Sequence, residues 1–282
     1  MPLKDILVHL DGTERAGIRL GLAAGLARRH EAHLTALHVI DVELPAVFAG
    51  EAGGTAAFVD LLEDMRRDAA AEASKVEAAF RERLRLDGIA GEWRSVEGIT
   101  REQVALHARY ADLVVLGQEG AGPGEPAVPE IVEHALFASG RPVLVVPAAG
   151  RFETVGRRVL VGWNASREAA RAVNDALPLM AQAEAVTVLA VNPRQGATGA
   201  HGEEPGADIG LHLARHGVRV EVQRTAGAGL GDGDMILNAA ADLSADLLVV
   251  GAYGHSRLRE MVLGGVTRTL LRRMTLPVLM SH

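Results

Sequence analysis

The sequence predicts an α/β fold made of two tandem, doubly wound parallel-sheet domains, and three observations predict it. Apolar residues occur in continuous runs of about five, which is typical of parallel strands buried on both faces. Helical patterns of about ten to fifteen residues separate these runs, as crossover connections require. Finally, "ILVHLDGTERAG" from Ile6 recurs as "VLVGWNASREAA" from Val159, so the chain contains an internal repeat.

The later parts of the two halves match as well. "ADLVVLGQEG" at 111–120 corresponds to "ADLLVVGAYG" at 245–254. "RPVLVVP" at 141–147 corresponds to "LPVLMSH" at 276–282. Each half therefore contains the same succession of strands and helices, with a glycine-containing turn before its last helix.

The repeat divides the chain into a first domain at residues 1–148 and a second domain at residues 157–282. Each domain ends on a short apolar strand, and an exposed apolar edge strand would be an aggregation risk. Together with the family resemblance given below, these apolar strands lead us to expect that the two domains pack against each other as an internal pseudo-dimer. A homodimer of the whole chain is a further alternative.

Composition limits the classes of function. The net charge of −7 provides no extended basic surface, so we expect no nucleic-acid partner. The chain has no cysteine, which excludes disulfides, thiolate metal sites and a cysteine nucleophile. We find no signal segment and no apolar run of about 18 residues, so we expect a cytoplasmic protein without a membrane partner.

The stretch "GAYGHSRLREMVLGGVTRTLL" is the main candidate for a binding site. Gly251 and Gly254 follow a buried strand, where glycine lets the backbone turn and lets a ligand approach closely. A helix that resumes at Gly265 would present unpaired N–H groups and its positive dipole end to a phosphate. His255 and Arg257 would add charge. The alternative is a tight strand-to-helix connection without a ligand.

The pattern G-x2-G-x9-G, placed after the fourth strand of a small α/β domain, resembles the nucleotide-binding motif of the universal stress protein family. The resemblance covers essentially the whole chain as two tandem copies, and it implies the adenine nucleotide α-hydrolase-like fold. "ILVHLDGTERA" resembles the family's first strand with its aspartate, which is Asp11 here. "ADLLVVGAYG" and "LPVLMSH" resemble its last two strands.

In ATP-binding members of that family, the adenine lies between the ends of strands one, two and four, and the glycines hold the phosphates. The resemblance thus implies an adenine-nucleotide site in the second domain, for ATP or alternatively AMP or ADP. The implied residues are Asn164, Ala165, Val191, Val250, Gly251, Gly254, Gly264, Gly265 and Val266, with His255, Arg257 and Thr267 beside them. Mg²⁺ would arrive with the phosphates, although no dedicated carboxylate ligand is evident.

Two positions of the second domain depart from the family pattern. Asn164 replaces the aspartate; it can bond a ribose hydroxyl but carries no charge. Gly265 replaces a serine or threonine, and Thr267, two residues further on, lies on another face of a helix. A hydrogen bond to a charged group is worth about 1.5–3 kcal/mol, so we expect weakened ATP binding.

The first domain keeps Asp11 after its first strand but departs from the pattern in its loop. Gly117 and Gly120 fit the start of the motif, whereas Glu130 replaces the later glycine after three prolines. Prolines lack N–H donors, and a glutamate repels phosphate. We therefore expect no triphosphate in this domain, and Asp11 is a weaker candidate for ligand contact.

Several histidines leave two interpretations open. His212 and His216, spaced i, i+4, either share a metal or lie on a solvated helix face. His9 and His38 are either core residues or line an altered pocket in the first domain.

The sequence thus predicts a tandem, ATP-binding regulatory protein of the stress response. The alternative is a nucleotide-free stress protein that acts as a protein-interaction or chaperone-like module. An enzyme on the same fold is a third reading, but we identify no catalytic residue, and hydrolysis would be slow at most.

Overall fold

The computed structural model of the chain describes residues 2–41, 56–119, 130–193, 204–227, 229–253 and 265–282. The first half contains β1 (Asp5–His9), α1 (Ala16–His30), β2 (His33–Ile40), α2 (Ala56–Asp87), β3 (Gly91–Glu97), α3 (Thr100–Ala108), β4 (Leu113–Gly117), α4 (Glu130–Ala138) and β5 (Val143–Val146). The second half contains β6 (Arg158–Trp163), α5 (Arg167–Met180), β7 (Ala185–Val191), α6 (Ala207–Arg215), β8 (Val220–Thr225), α7 (Asp232–Asp242), β9 (Leu247–Gly251), α8 (Val266–Arg273) and β10 (Val278–Ser281).

These strands form one sheet in the order β3-β2-β1-β4-β5-β10-β9-β6-β7-β8. Within each half, neighbouring strands are parallel. The strand order reverses between β1 and β4 in the first half, and between β6 and β9 in the second. The predicted doubly wound α/β class is therefore confirmed.

The two halves meet at their last strands. β5 and β10 pair antiparallel, with Val145 opposite Val278 and Val143 opposite Met280. Because this pairing is antiparallel, the carboxyl ends of the two sets of parallel strands lie at opposite edges of the shared sheet. The carboxyl ends of the second-domain strands therefore lie on the same side as the start of β5 and the end of α4.

Aliphatic side chains fill the core on both faces of the sheet. One face is covered by α1, α2, α5 and α6, and the other by α3, α4, α7 and α8. The central strands are buried throughout, which explains their continuous apolar runs. None of the helices in the described parts of the chain is both long and apolar enough to cross a bilayer.

The aspartate of the repeated "AD" dipeptide has a structural role. Asp112 accepts hydrogen bonds from the N–H groups of Lys4 and Asp5, at 2.7 and 3.1 Å. Asp246 accepts them from the N–H groups of Gly156, Arg157 and Arg158 in the second half. In both halves the carboxylate fixes the chain as it enters the first strand.

Candidate functional site

The second-domain site lies where β6, β7 and β9 end. β6 is the middle strand of the three: Gly162 is paired with Val250, and Trp163 with Ala190. These pairings bring Asn164, Val191 and Gly251 to one edge of the sheet, at the reversal of strand order. Open α/β sheets bind ligands at such a crevice.

A short turn after β6 positions Asn164 at this edge. Its side-chain oxygen accepts a hydrogen bond from the N–H of Ser166 at 3.1 Å, and Ala165 between them has a left-handed φ of 57°. The Ser166 hydroxyl accepts a hydrogen bond from the N–H of Ala169 and caps α5. The exposed Asn164 amide nitrogen, which no described residue bonds, is the group available to a ligand oxygen.

Gly251 is required by packing between β9 and α5. A Cβ atom at this position would lie 2.4 Å from the nitrogen of Ala169 and 2.5 Å from the carbonyl carbon of Glu168. Both neighbours are backbone atoms, so no side-chain rotation could make room. The glycine therefore has a structural reason of its own, and its contact with a ligand stays a prediction.

The side chains beside Gly251 are engaged in the core. Val250 is 4% exposed and packs beneath the edge. Thr267 is also 4% exposed, and its hydroxyl oxygen accepts a hydrogen bond from the N–H of Tyr253 at 3.2 Å. Thr267 thus holds the backbone that leaves β9.

The start of α8 faces the same edge. Gly265 is its N-cap residue and Val266 its first residue, and no side-chain cap forms there within the described part of the chain. Its leading N–H groups therefore have no side-chain acceptor among the described residues. Gly254, His255, Arg257 and Gly264 lie outside the described residues.

The first domain contains a cavity of about 460 Å³ at the corresponding ends of β1, β4 and β5. Its lining combines two arginines and two carboxylates with apolar side chains. The lining residues are His9, Asp11, Thr13, Arg15, Arg19, Leu116, Gly117, Gln118, Glu119, Ile131, Val146, Pro147 and Ala148.

Arg19 occupies the inner part of this cavity. One nitrogen of its guanidinium lies 2.6 Å from the Asp11 carboxylate, and Nε donates to the carbonyl of His9. Asp11 also accepts hydrogen bonds from the N–H and hydroxyl of Thr13. Burial tends to raise the pKa of Asp11, but the Arg19 charge and these hydrogen bonds outweigh it and lower the pKa. Asp11 is therefore ionised and already paired.

Glu119 occupies the start of α4. Its carboxylate oxygens accept hydrogen bonds from the N–H groups of Ile131 and Val132, at 3.2 and 2.9 Å. A helix N-terminus is where a phosphate would bind, so the chain's own carboxylate fills that position. The sequence directs attention to Glu130 instead, which is exposed and lies 3.6 Å from Arg101. Glu119 is the residue that sequence reasoning missed.

The first-domain histidines resolve into different roles. His9 lines the cavity, and burial, reinforced by the charge of Arg19, lowers its pKa to about 4. His38 is a core residue whose Nδ1 lies 2.9 Å from the carbonyl oxygen of Leu10 and whose ring stacks on Trp93.

The other histidine pair lies on and just after α6. The ring centroids of His212 and His216 are 4.7 Å apart. Within the described ranges, no group of three or more candidate side chains is placed to hold a metal ion.

Two doubly wound halves in one sheet, each with a crevice where its strand order reverses, define a tandem α/β protein. The model of the universal stress protein family matches residues 2–147 and 156–282. The chain belongs to the universal stress protein family.

Similar proteins span the whole chain. A universal stress protein from Synechocystis sp. is 26% identical over 301 residues, covering 98% of this chain and 99% of its own length. The crystal structure of a universal stress protein from Archaeoglobus fulgidus has a TM-score of 0.74 at 16% identity, covering 98% of this chain and 96% of that one. A putative universal stress protein from Pseudomonas aeruginosa has a TM-score of 0.58 at 17% identity, covering 99% and 93%. At these identities the two structures support the fold alone.

Proposed function

We propose that this protein binds an adenine nucleotide at the carboxyl edge of its second domain and acts as a regulatory protein of the stress response. ATP is the leading ligand, and ADP or AMP are the alternatives. One observation carries the proposal: the helix start that would receive a phosphate is filled by Glu119 in the first domain, whereas no side chain among the described residues caps the start of α8 at Gly265. The second domain therefore keeps the open position for an anion.

The rest of the edge suits the other parts of a nucleotide. Asn164 presents an amide nitrogen that can donate to a ribose hydroxyl. Val191, at the end of β7, is half-buried beside it and offers an apolar and backbone surface to a base. Apolar walls with a few convergent polar groups are typical of small-molecule sites.

The proposed activity is binding. Glu168, the carboxylate in the first turn of α5, is 3% exposed and ion-paired with Arg167, so it is placed for structure rather than for a metal ion. Mg²⁺ would enter with the phosphates of the nucleotide. Any hydrolysis would be slow, since a phosphoryl-transfer site requires positioned metal ligands and a positioned nucleophile.

Calorimetric titration of the full chain with ATP, ADP and AMP tests the proposal, together with two substitutions at Gly265. The backbone there, with φ of −54° and ψ of 164°, accepts a residue with a side chain. Gly265→Asp places a carboxylate at the helix start, in the manner of Glu119, and we expect at least about tenfold weaker binding. Gly265→Ser adds a neutral hydroxyl, and we expect binding about tenfold tighter.

These two variants control for each other, because both residues are good helix N-caps and both should preserve the fold. Absence of heat with every nucleotide at about 1 mM, a weak-binding limit, would rule out the proposal and favour the nucleotide-free alternative. Binding that is equal in both variants would show that the nucleotide lies elsewhere. Gly251→Val is a poor probe, since its side chain would collide with the α5 backbone.

A further inference from the structure

The last helix of the first domain reaches the candidate site of the second. Phe137 lies in the final turn of α4, and its ring centroid is 5.0 Å from that of Tyr253 and 4.5 Å from that of His282. The ring of His282 is met edge-on, at an interplanar angle of 65°. The antiparallel pairing of β5 with β10 brings the end of α4 to this edge.

Tyr253, at the exit of β9, is one of the two aromatic partners of Phe137 among the described residues. It has a left-handed φ of 56°, an unfavourable conformation for a residue with a Cβ atom. Such a conformation persists where the surroundings hold it. Its N–H is bonded to Thr267, and the adjacent Ala252 is bonded through its N–H to Ser281 and through its carbonyl to the His282 ring.

The hydrogen bonds with Thr267, Ser281 and His282 come from the second domain itself. The aromatic contact of Tyr253 with Phe137 comes from the first domain. The aligned repeat places Arg272 in the second domain at the position of Phe137, because Pro142 and Pro277 correspond. The first domain thus has an aromatic residue at a position where its counterpart has a cation. At the equivalent exit of β4, the side-chain nitrogen of Gln118 instead donates a hydrogen bond to the carbonyl of Leu271 in α8, at 2.8 Å.

We propose that Phe137 is a positioning residue for the nucleotide site of the second domain. By packing on Tyr253 it holds the backbone that continues from Gly251, so the site is completed by the other domain of the same chain. This inference rests on the proposed function. The inference extends that function, because the affinity of the second domain for the nucleotide would depend on the first domain.

The predicted effect is a modest change in affinity. A specific aromatic pair contributes the equivalent of about 2- to 10-fold in an equilibrium constant. Phe137→Leu keeps an apolar side chain but removes the ring, and we expect its Kd for ATP to rise by about that factor. Phe137→Tyr keeps the ring and should retain wild-type affinity.

The matched control is Phe152→Leu, the same change of side chain at the connection between the domains. Phe152 packs against the core on the face covered by α1 and α5, away from Tyr253. We expect its Kd for ATP to equal that of the wild type. Thermal unfolding of both variants shows that the titrations are made on folded protein.

A second readout follows Tyr253 directly. The chain has two tyrosines, so incorporation of 3-fluorotyrosine gives two ¹⁹F resonances, which Tyr110→Phe assigns. We expect Phe137→Leu to shift the Tyr253 resonance without nucleotide, and ATP to shift it in the wild type. Phe152→Leu should leave it in place.

The outcomes separate the two proposals. If the wild type binds ATP, and Phe137→Leu binds it equally well with an unchanged Tyr253 resonance, the positioning role is overturned while the proposed function stands. If the wild type binds no nucleotide, both are overturned. Weaker binding by Phe137→Leu, with normal binding by Phe137→Tyr and Phe152→Leu, supports the positioning role.

Discussion

The two domains share a strand order, yet their equivalent edges are arranged in opposite ways. In the first domain, Arg19 and Asp11 form an ion pair, and Glu119 caps the start of α4 from within the chain. In the second, the aligned residues Ala172 and Asn164 carry no charge, and the start of α8 has no side-chain cap among the described residues. A duplicated fold can thus keep a crevice in both copies while the side chains at the two helix starts differ.

A second pair of equivalent positions, Arg15 and Glu168, carries opposite charges in the two domains. Arg15 donates hydrogen bonds to the carbonyls of Pro147 and Gly150, at 2.6 and 2.8 Å, and so closes the end of β5. Its counterpart Glu168 is a buried acid. Burial tends to raise the pKa of Glu168, but hydrogen bonds from Arg167 and from the backbone, together with the charges of Arg167 and His282, lower it.

The largest expected difference between the two domains is in the loss of unfolding free energy when one methyl group is added at each of the two equivalent glycines. Gly251→Ala would place Cβ against the backbone of α5, and we expect a loss of about 3 kcal/mol or more in unfolding free energy. Gly117→Ala would meet the end of the Arg19 side chain at 2.6 Å, and we expect a loss of about 1 kcal/mol. Denaturant unfolding of both variants measures the difference. Equal losses would mean that α5 does not approach β9 so closely.

Acid should weaken the first domain through two buried histidines. Burial, with the charge of Arg29, lowers the pKa of His30 to about 4, as burial and Arg19 do for His9. Because the unfolded chain titrates near 6.5, it binds more protons than the folded chain between about pH 6.5 and 4. Stability is therefore complete above about pH 6.5 and falls as the pH drops towards 4, by about 2 kcal/mol per histidine between pH 7 and 5.

The variant that isolates this effect is His30→Leu. His30 is 3% exposed, and neither ring nitrogen has a hydrogen-bond partner among the described residues. Replacing it should remove about half of the pH dependence, measured as unfolding free energies at pH 7 and 5. An unchanged slope would show that His30 titrates normally in the folded protein.

We expect a smaller change in unfolding free energy from a substitution that makes the first domain more like the second. Glu119→Ala removes the cap of α4, and we expect a loss of about 1 kcal/mol in phosphate-free buffer. Inorganic phosphate should then stabilise the variant more than it stabilises the wild type, since two N–H groups become available. Unfolding free energies with and without phosphate measure both changes.

The control for that substitution is Glu130→Ala. Glu130 is exposed, and its ion pair with Arg101 spans 3.6 Å, so we expect a change below about 0.5 kcal/mol and no response to phosphate. If Glu130→Ala had the larger effect, the capping role of Glu119 would be wrong.

Much of the fold follows from the sequence, because buried parallel strands must be continuously apolar and the repeat shows which segments correspond. The pairing of the last strands is expected from their apolar character together with the family resemblance. The contents of the two crevices do not follow from the sequence. Glu119 reaches the N–H groups of Ile131 and Val132 across a proline-containing connection, and spacing alone shows no such contact.

The glycines show a similar limit. The sequence marks Gly251 as a place of close approach but cannot tell whether a ligand or a helix comes close, and the structure places the α5 backbone there. In the sequence, nothing distinguishes Arg19 from an ordinary residue of an amphipathic helix. Only the fold turns its guanidinium towards Asp11.

The joining of the halves through β5 and β10 has a consequence for synthesis on the ribosome. β5 receives its outer neighbour only from the last strand to be made. That strand follows roughly 130 residues later, so at about 5–20 residues per second a folded first domain would expose its apolar edge for on the order of 10 seconds. During that interval the nascent chain is open to pairing with the same strand of a neighbouring nascent chain, as in a polysome.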